Sequence, residues 1–299
     1  MASNFLRAAD IASMLIDSTS LLMTFPGYIF ILVVNILDWM KNKRLNISDQ
    51  IISGLGLSTL IHKIAQVTFR YTLLLGGHRV HTSIIWFYIE LTFNLLNFCI
   101  LLLSTWLAIH FCLKIVNINH KLYIYIQRMF PKMFPWILLP SVLVSLLISV
   151  PAAQSTSQFH STSSVLFNAS SSAMNIFLSV QLYYAFYALC FVIFFILLLV
   201  AIVSLFRHIH QLQKNSVNFR SETVQAHAGA AKTLICLLFL NLLQFFVPIF
   251  RMLERTEQRI MYFNVLLAII WHILDLPILL RGSKKLQKKL HEIWFYLVP

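Results

Sequence analysis

"IIWFYIELTFNLLNFCILLLSTWLAIHFCLK", residues 84–114, decides the fold. A bilayer is crossed by about 20 apolar residues in a helix rising about 1.5 Å each. This run is longer than that, holds one acid, Glu90, and has no lysine or arginine before Lys114. A helix on the surface of a soluble domain would carry a broad charged face, and this one does not. Lys114 then closes the run with no acidic residue within twenty positions on either side.

The rest of the chain agrees. Of 299 residues, 59% are hydrophobic and only 11% charged, which is more apolar and less charged than a soluble globule can accommodate. Seven apolar spans fall at about 14–39, 50–72, 83–113, 133–153, 177–206, 230–251 and 260–280. The second is interrupted by His62, Lys63 and Arg70, and the fourth is bounded by Pro131/Pro135 and Pro151. "MASNFLRAAD" lacks the pattern of a cleaved signal, so the first span is expected to remain. These spans predict an all-α membrane protein, a seven-transmembrane-helix bundle over 1–281, with a short tail over 282–299.

The net charge of +13 would suit nucleic acid if it formed one patch. Instead 16 of the 23 lysines and arginines lie in segments 40–48, 114–132, 207–232 and 281–299, on one side of a seven-span chain. No nucleic-acid partner is expected. By the positive-inside rule the N-terminus is outside, the C-terminus is cytosolic and the protein is a multi-pass plasma-membrane protein. Lys114 marks the cytosolic end of the third span. It is either a snorkelling anchor or part of a coupling surface. The stretch 153–176, "AQSTSQFHSTSSVLFNASSSAMN" from Ala153 on, reads as a flexible outer loop, and Asn168-Ala169-Ser170 within it is a glycosylation sequon. Asn46-Ile47-Ser48 falls on the cytosolic side and should stay unmodified. Residues 207–229 read as the longest cytosolic connection. The tail reads as an amphipathic helix, with Leu286, Leu290 and Ile293 near helical spacing.

Chemistry of the enzymatic kind is thin. His208/His210 and His78/His81 resemble halves of metal sites, but they fall on opposite sides and lack carboxylate or cysteine companions. No phosphate loop or nucleophile constellation occurs. No enzyme activity, metal or cofactor is expected. The informative pattern is Trp86, Glu90, Asn94 and Asn97, at i, i+4, i+8 and i+11, with Phe93 alongside, on one face of the third span. Asn97 lies roughly 20 Å below the span's outer end. Polar groups at that depth face the bundle interior, as a ligand cavity or as interhelical glue. Glu90, nearer the mouth, suits a wetted rim. Asp275, two residues before Pro277, suits a hinge or switch, and Pro248 bends the sixth span likewise.

Several stretches resemble the vertebrate bitter-taste receptors. "VNILDWMKNKRLNISDQIISGLGLS" resembles their first intracellular turn, and "LAIHFCLKIVNINHKLYIYIQRMF" their third-helix exit. "SLFRHIHQLQKN" with "AHAGAAKTL" resembles their fifth-helix exit and the histidine before their sixth helix, and "LLRGSKKLQKKL" resembles their tail. The sequon sits in the second outer loop, as in that family. There are departures. The family's Ser-Arg in the second helix is Ser58-Thr59, its Phe-Tyr before the lysine is His110-Phe111, and its His-Ser in the seventh helix is Asp275-Leu276. The family asparagine of the first helix has no counterpart near Pro26–Tyr28.

The resemblance implies a chemosensory G-protein-coupled receptor for small, apolar, bitter ligands. Counting back from Lys114 puts the family's pocket asparagine on Asn97 and an aromatic one turn above on Phe93. Ligand contacts are expected from Trp86, Glu90, Phe93, Asn94, Asn97, Tyr184, Phe186 and Phe246. Contacts with a heterotrimeric G protein are expected from Lys114, Lys121, Arg128, Arg207, His208, Lys214 and His227. A vomeronasal pheromone-type receptor is the alternative within the class. A small transporter or channel is the alternative outside it, and the absence of an internal repeat speaks against that.

Overall fold

The computed structural model describes residues 2–76, 83–115, 121–162, 170–215, 232–246, 270, 273–281 and 283–297, and the regular structure among them is all helical. In order these are α1 (Ala2–Asn42), α2 (Ile47–Gly76), α3 (Ser83–Ile115), α4 (Lys121–Thr162), α5 (Ser170–Asn215), α6 (Lys232–Phe246), α7 (273–281) and α8 (Lys284–Leu297). Among the described residues, four segments are long and apolar enough to cross a membrane: Met14–Asn42, Ile84–Ile115, Tyr123–Ser155 and Leu178–Arg207. The exposed sides of the long helices are themselves apolar, as at Leu22, Met23, Trp136, Leu139, Leu147, Leu178 and Ile196. Water would not favour so continuous an apolar surface, and lipid does.

Inside these helices, stray hydroxyls turn back onto their own backbone. Ser18 donates to the Met14 carbonyl and Thr24 to that of Ser20, each at 2.7 Å, and Ser141 and Ser145 do the same in α4. A hydroxyl satisfied this way needs no partner from another helix.

Three expectations are corrected. Pro131 and Pro135 do not bound the fourth span, because α4 runs from Lys121 to Thr162 through Pro131, Pro135, Pro140 and Pro151. All four rings are exposed, so each missing N–H falls on the outer side of the helix, where no neighbouring helix is disturbed. Residues 153–176 are not a loop in their described parts, since 153–162 end α4 and 170–176 begin α5. Ala153, Ser155 and Ser157 are buried, so packing overrides the weak helical preference of serine there. The connection expected from 207 is likewise helical through Asn215.

α1 ends at Asn42. Lys43 adopts a left-handed backbone, φ 53°, with its N–H on the Trp39 carbonyl at 2.7 Å. α2 starts on the Asn46 carbonyl, which accepts from the Gln50 N–H at 2.9 Å.

The chain divides into two compact units, with a boundary inside each of the five long helices. Unit 1 is Met1–Pro26, Leu57–Leu102 and Pro135–Cys190. Unit 2 is Gly27–Gly56, Leu103–Phe134 and Phe191–Pro299. Unit 1 packs around Phe98, Tyr183, Tyr187 and Ala153. Unit 2 packs around Ile31, Ile51, Phe194, Leu198, Leu205 and Leu234, and Phe191 stacks on Phe245 at 4.0 Å. The amphipathic tail is a helix as expected. Ser283 caps α8, its carbonyl accepting from Gln287 N–H at 3.1 Å, and Leu286 is buried. Lys285 reaches Asp38 at 3.0 Å and Asp49 at 3.4 Å, which ties α8 to α1 and α2. Asn35 donates to the Ser53 hydroxyl at 2.8 Å.

Candidate ligand-binding site

The α3 face read from spacing lies in unit 1. Phe93 is buried, and Trp86, Glu90, Asn94 and Asn97 are half-buried. The face is lined by α2. Phe69 meets Trp86 edge-on at 5.4 Å and Phe93 at 5.8 Å, and His62 meets Phe93 at 5.5 Å. Edge-to-face pairs of this kind fix ring positions and are worth about 1 kcal/mol each beyond burial. In the sequence the charges of α2 mask the part that Phe69 and His62 play in this face. The signal was there: His62, Gln66, Phe69 and Arg70 fall at i, i+4, i+7 and i+8, one helical face.

That face of α2 explains how its charges are housed. Lys63, only 2% exposed, donates from Nζ to the Thr24 hydroxyl at 3.2 Å. Arg70 pairs with Asp17, a buried carboxylate on α1, at 2.5 Å. The polar residues that interrupted the second span thus turn into unit 1 rather than toward lipid.

From α5, the Tyr183 hydroxyl donates to the Asn94 backbone carbonyl at 3.1 Å. Tyr183 stacks on Tyr187 at 6.1 Å and meets Tyr184 edge-on at 5.3 Å. Tyr184 is half-buried, whereas Phe186 is 41% exposed, on the same side as Leu182 and Leu189. The α5 residues that meet α3 are therefore Tyr183 and Tyr187. Phe246 lies in unit 2, edge-on to Phe245 at 5.6 Å. Among the described residues neither the Asn94 nor the Asn97 side-chain amide is hydrogen-bonded to another helix. Aromatic walls with a few unengaged amides are what holds a largely apolar molecule by one or two hydrogen bonds.

The expected coupling residues are in unit 2. Lys114, Lys121, Arg128 and Arg207 are exposed, and His208 and Lys214 lie on α5. The end of α3 is fixed by α4: the Tyr123 hydroxyl donates to the Cys112 carbonyl at 3.0 Å, and Gln127 to that of Leu113 at 2.9 Å. Those carbonyls belong to the last helical turn, which has no intrahelical donors. Of the expected switch residues, Asp275 is buried and accepts from the Tyr28 hydroxyl, and Pro277 is exposed within α7. His227, Pro248 and Asn168 lie outside the described residues.

Known proteins resemble this chain over most of its length. A family described as "Taste receptor protein (TAS2R)" matches residues 6–297. Taste receptor type 2 member 41 of Mus musculus is 27% identical over 237 residues, 76% of this chain and 77% of that protein. Taste receptor type 2 member 7 of Papio hamadryas is 26% identical over 284 residues, 90% of this chain and 88% of that protein. Member 4 of Gorilla gorilla gorilla is 28% identical over 242 residues, 79% of this chain and 78% of that protein. With a single family covering all but the extreme ends and relatives aligned along three quarters of the chain or more, the protein is a member of the taste receptor (TAS2R) family.

Proposed function

We propose that the protein is a bitter-taste chemosensory receptor of the seven-helix, G-protein-coupled type, set in the plasma membrane with its N-terminus outside and its tail in the cytosol. Small, largely apolar molecules bind against the α3 face of Trp86, Glu90, Phe93, Asn94 and Asn97, with Tyr184 from α5. Binding favours a state recognised by a heterotrimeric G protein through the exposed bases Lys114, Lys121, Arg128 and Arg207. His208, Lys214 and His227 extend that surface.

One observation carries the reading. In unit 1, Phe69 and His62 clamp Phe93 while, among the described residues, the neighbouring amides Asn94 and Asn97 are engaged by no other helix. An amide serving as interhelical glue would be bonded across helices. The test is a screen of apolar small molecules on cells with and without a promiscuous G protein. Calcium release that needs both the receptor and the G protein supports the proposal. Ligand-evoked current or uptake without a G protein refutes it.

A further inference from the structure

Two helices of unit 2 meet at a joint that ligand recognition does not use. On α1, Gly27 and Tyr28 follow Pro26. On α7, Asp275 and Leu276 precede Pro277. Tyr28 is fully buried and donates its hydroxyl to Asp275 Oδ2, and Asp275 is itself 7% exposed. One residue away on both helices, Gly27 lies against Leu276: a Cβ at Gly27 would overlap Leu276 Cδ2 and stand 2.8 Å from Cδ1. Glycine is thus what lets Leu276 approach α1 so closely.

Each proline lacks an N–H, so the carbonyls of Leu22 and Ile273, four residues earlier, lose their usual helical donor. Helices bend where that rung is missing. The joint therefore ties together the two positions where α1 and α7 are most easily bent. It does so with a buried, charge-assisted hydrogen bond, which is stronger and more geometrically demanding than a neutral one.

We infer that the Tyr28–Asp275 bond is a latch that holds α7 in its resting position, and that releasing it favours the signalling state. The signalling half rests on the receptor reading above. A hydrogen bond to a buried carboxylate that is present in one state and absent in the other biases the two populations by about tenfold to a hundredfold.

The test uses the full-length receptor in two readouts: amide hydrogen exchange over 273–281 in the purified protein, and agonist-independent G-protein signalling in cells at matched surface level. Tyr28→Phe keeps the ring and removes the donor. Asp275→Asn keeps an acceptor oxygen. Tyr28→Phe with Asp275→Leu removes both polar partners, so that no carboxylate is left stranded. Tyr28→Phe should speed exchange over 273–281 and raise basal signalling about tenfold or more, and Asp275→Asn, which keeps an acceptor but loses the charge, should move both in the same direction by less. The double variant should keep the wild-type melting temperature yet retain the raised basal signal, which a merely structural brace would not do. Unchanged exchange in Tyr28→Phe overturns the latch, as does faster exchange with basal signalling unmoved in cells that respond to agonist. Failure of the receptor reading looks different: wild type and variants all stay silent with every G protein and agonist while exchange still rises in Tyr28→Phe.

Discussion

Asn97 lies half-buried on the α3 face, and among the described residues its amide is engaged by no other helix. An amide that bonds a ligand leaves a ligand group unpaired when it is cut back, at about 1–3 kcal/mol, or roughly 5- to 150-fold in affinity. Asn97→Ala should shift the dose-response curve of a hydrogen-bonding agonist by that much at normal surface expression. An agonist without polar groups should move little, and equal losses for both would leave Asn97 a structural residue. Phe69 gives the opposite pattern. It holds Trp86 and Phe93 in place, so Phe69→Ala should weaken polar and apolar agonists alike. An effect confined to one chemical class would place Phe69 in direct ligand contact instead. Trp86, Phe93 and Asn97 were legible in the sequence because α3 is otherwise apolar and its few polar residues share a face. Phe69 was not, because the signal on α2 is a mixture of aromatic, amide and charged side chains whose common face appears only when they are counted together.

Helix ends carry a prediction of their own. Lys43 sits in the left-handed region at the end of α1, which costs a non-glycine residue about 1–2 kcal/mol. Its ammonium also stands 5.7 Å from the Trp39 ring, an exposed contact worth about 0.5–1 kcal/mol. The backbone cost is the larger, so Lys43→Gly should stabilise the folded state modestly, by about 0.5–1 kcal/mol. A thermal melt of the purified receptor checks this, and a lower melting temperature would show that the cation and its ring matter more. The centres of the helices were legible from hydropathy, but their ends were not. α4 and α5 overrun their predicted limits because each helix continues past its apolar run into polar residues, where hydropathy gives no sign of it.

At the scale of the whole molecule, the proposed orientation of the chain is tested at Asn168. In the proposed orientation Asn168 is lumenal and Asn46, directly before α2, is cytosolic. Asn168→Gln should abolish the glycosidase-sensitive mass shift and Asn46→Gln should leave it intact. The reverse outcome would invert the topology. Of the seven expected apolar spans, the first, third, fourth and fifth match the four segments long and apolar enough to cross a membrane among the described residues. The division into two units was not legible in the sequence, because each boundary falls inside a continuous helix that carries no break in its hydropathy.

The buried charges of α2 also bear on biogenesis. A lysine or arginine at mid-helix costs about 2.5–3.5 kcal/mol when a segment leaves the translocon for lipid, and α2 carries Lys63 and Arg70. Thr24 and Asp17 on α1 are the groups that receive them. In the proposed seven-helix arrangement α2 is a poor passenger alone, and a sound one once α1 is waiting beside the channel. The first two helices should enter the bilayer as a hairpin, with the ribosome delivering the acceptor before the charge that needs it. Asp17→Leu should then lower the fraction of newly made chains that acquire the Asn168 glycan, without any change in the speed of synthesis. A full glycan yield would show that α2 enters unaided.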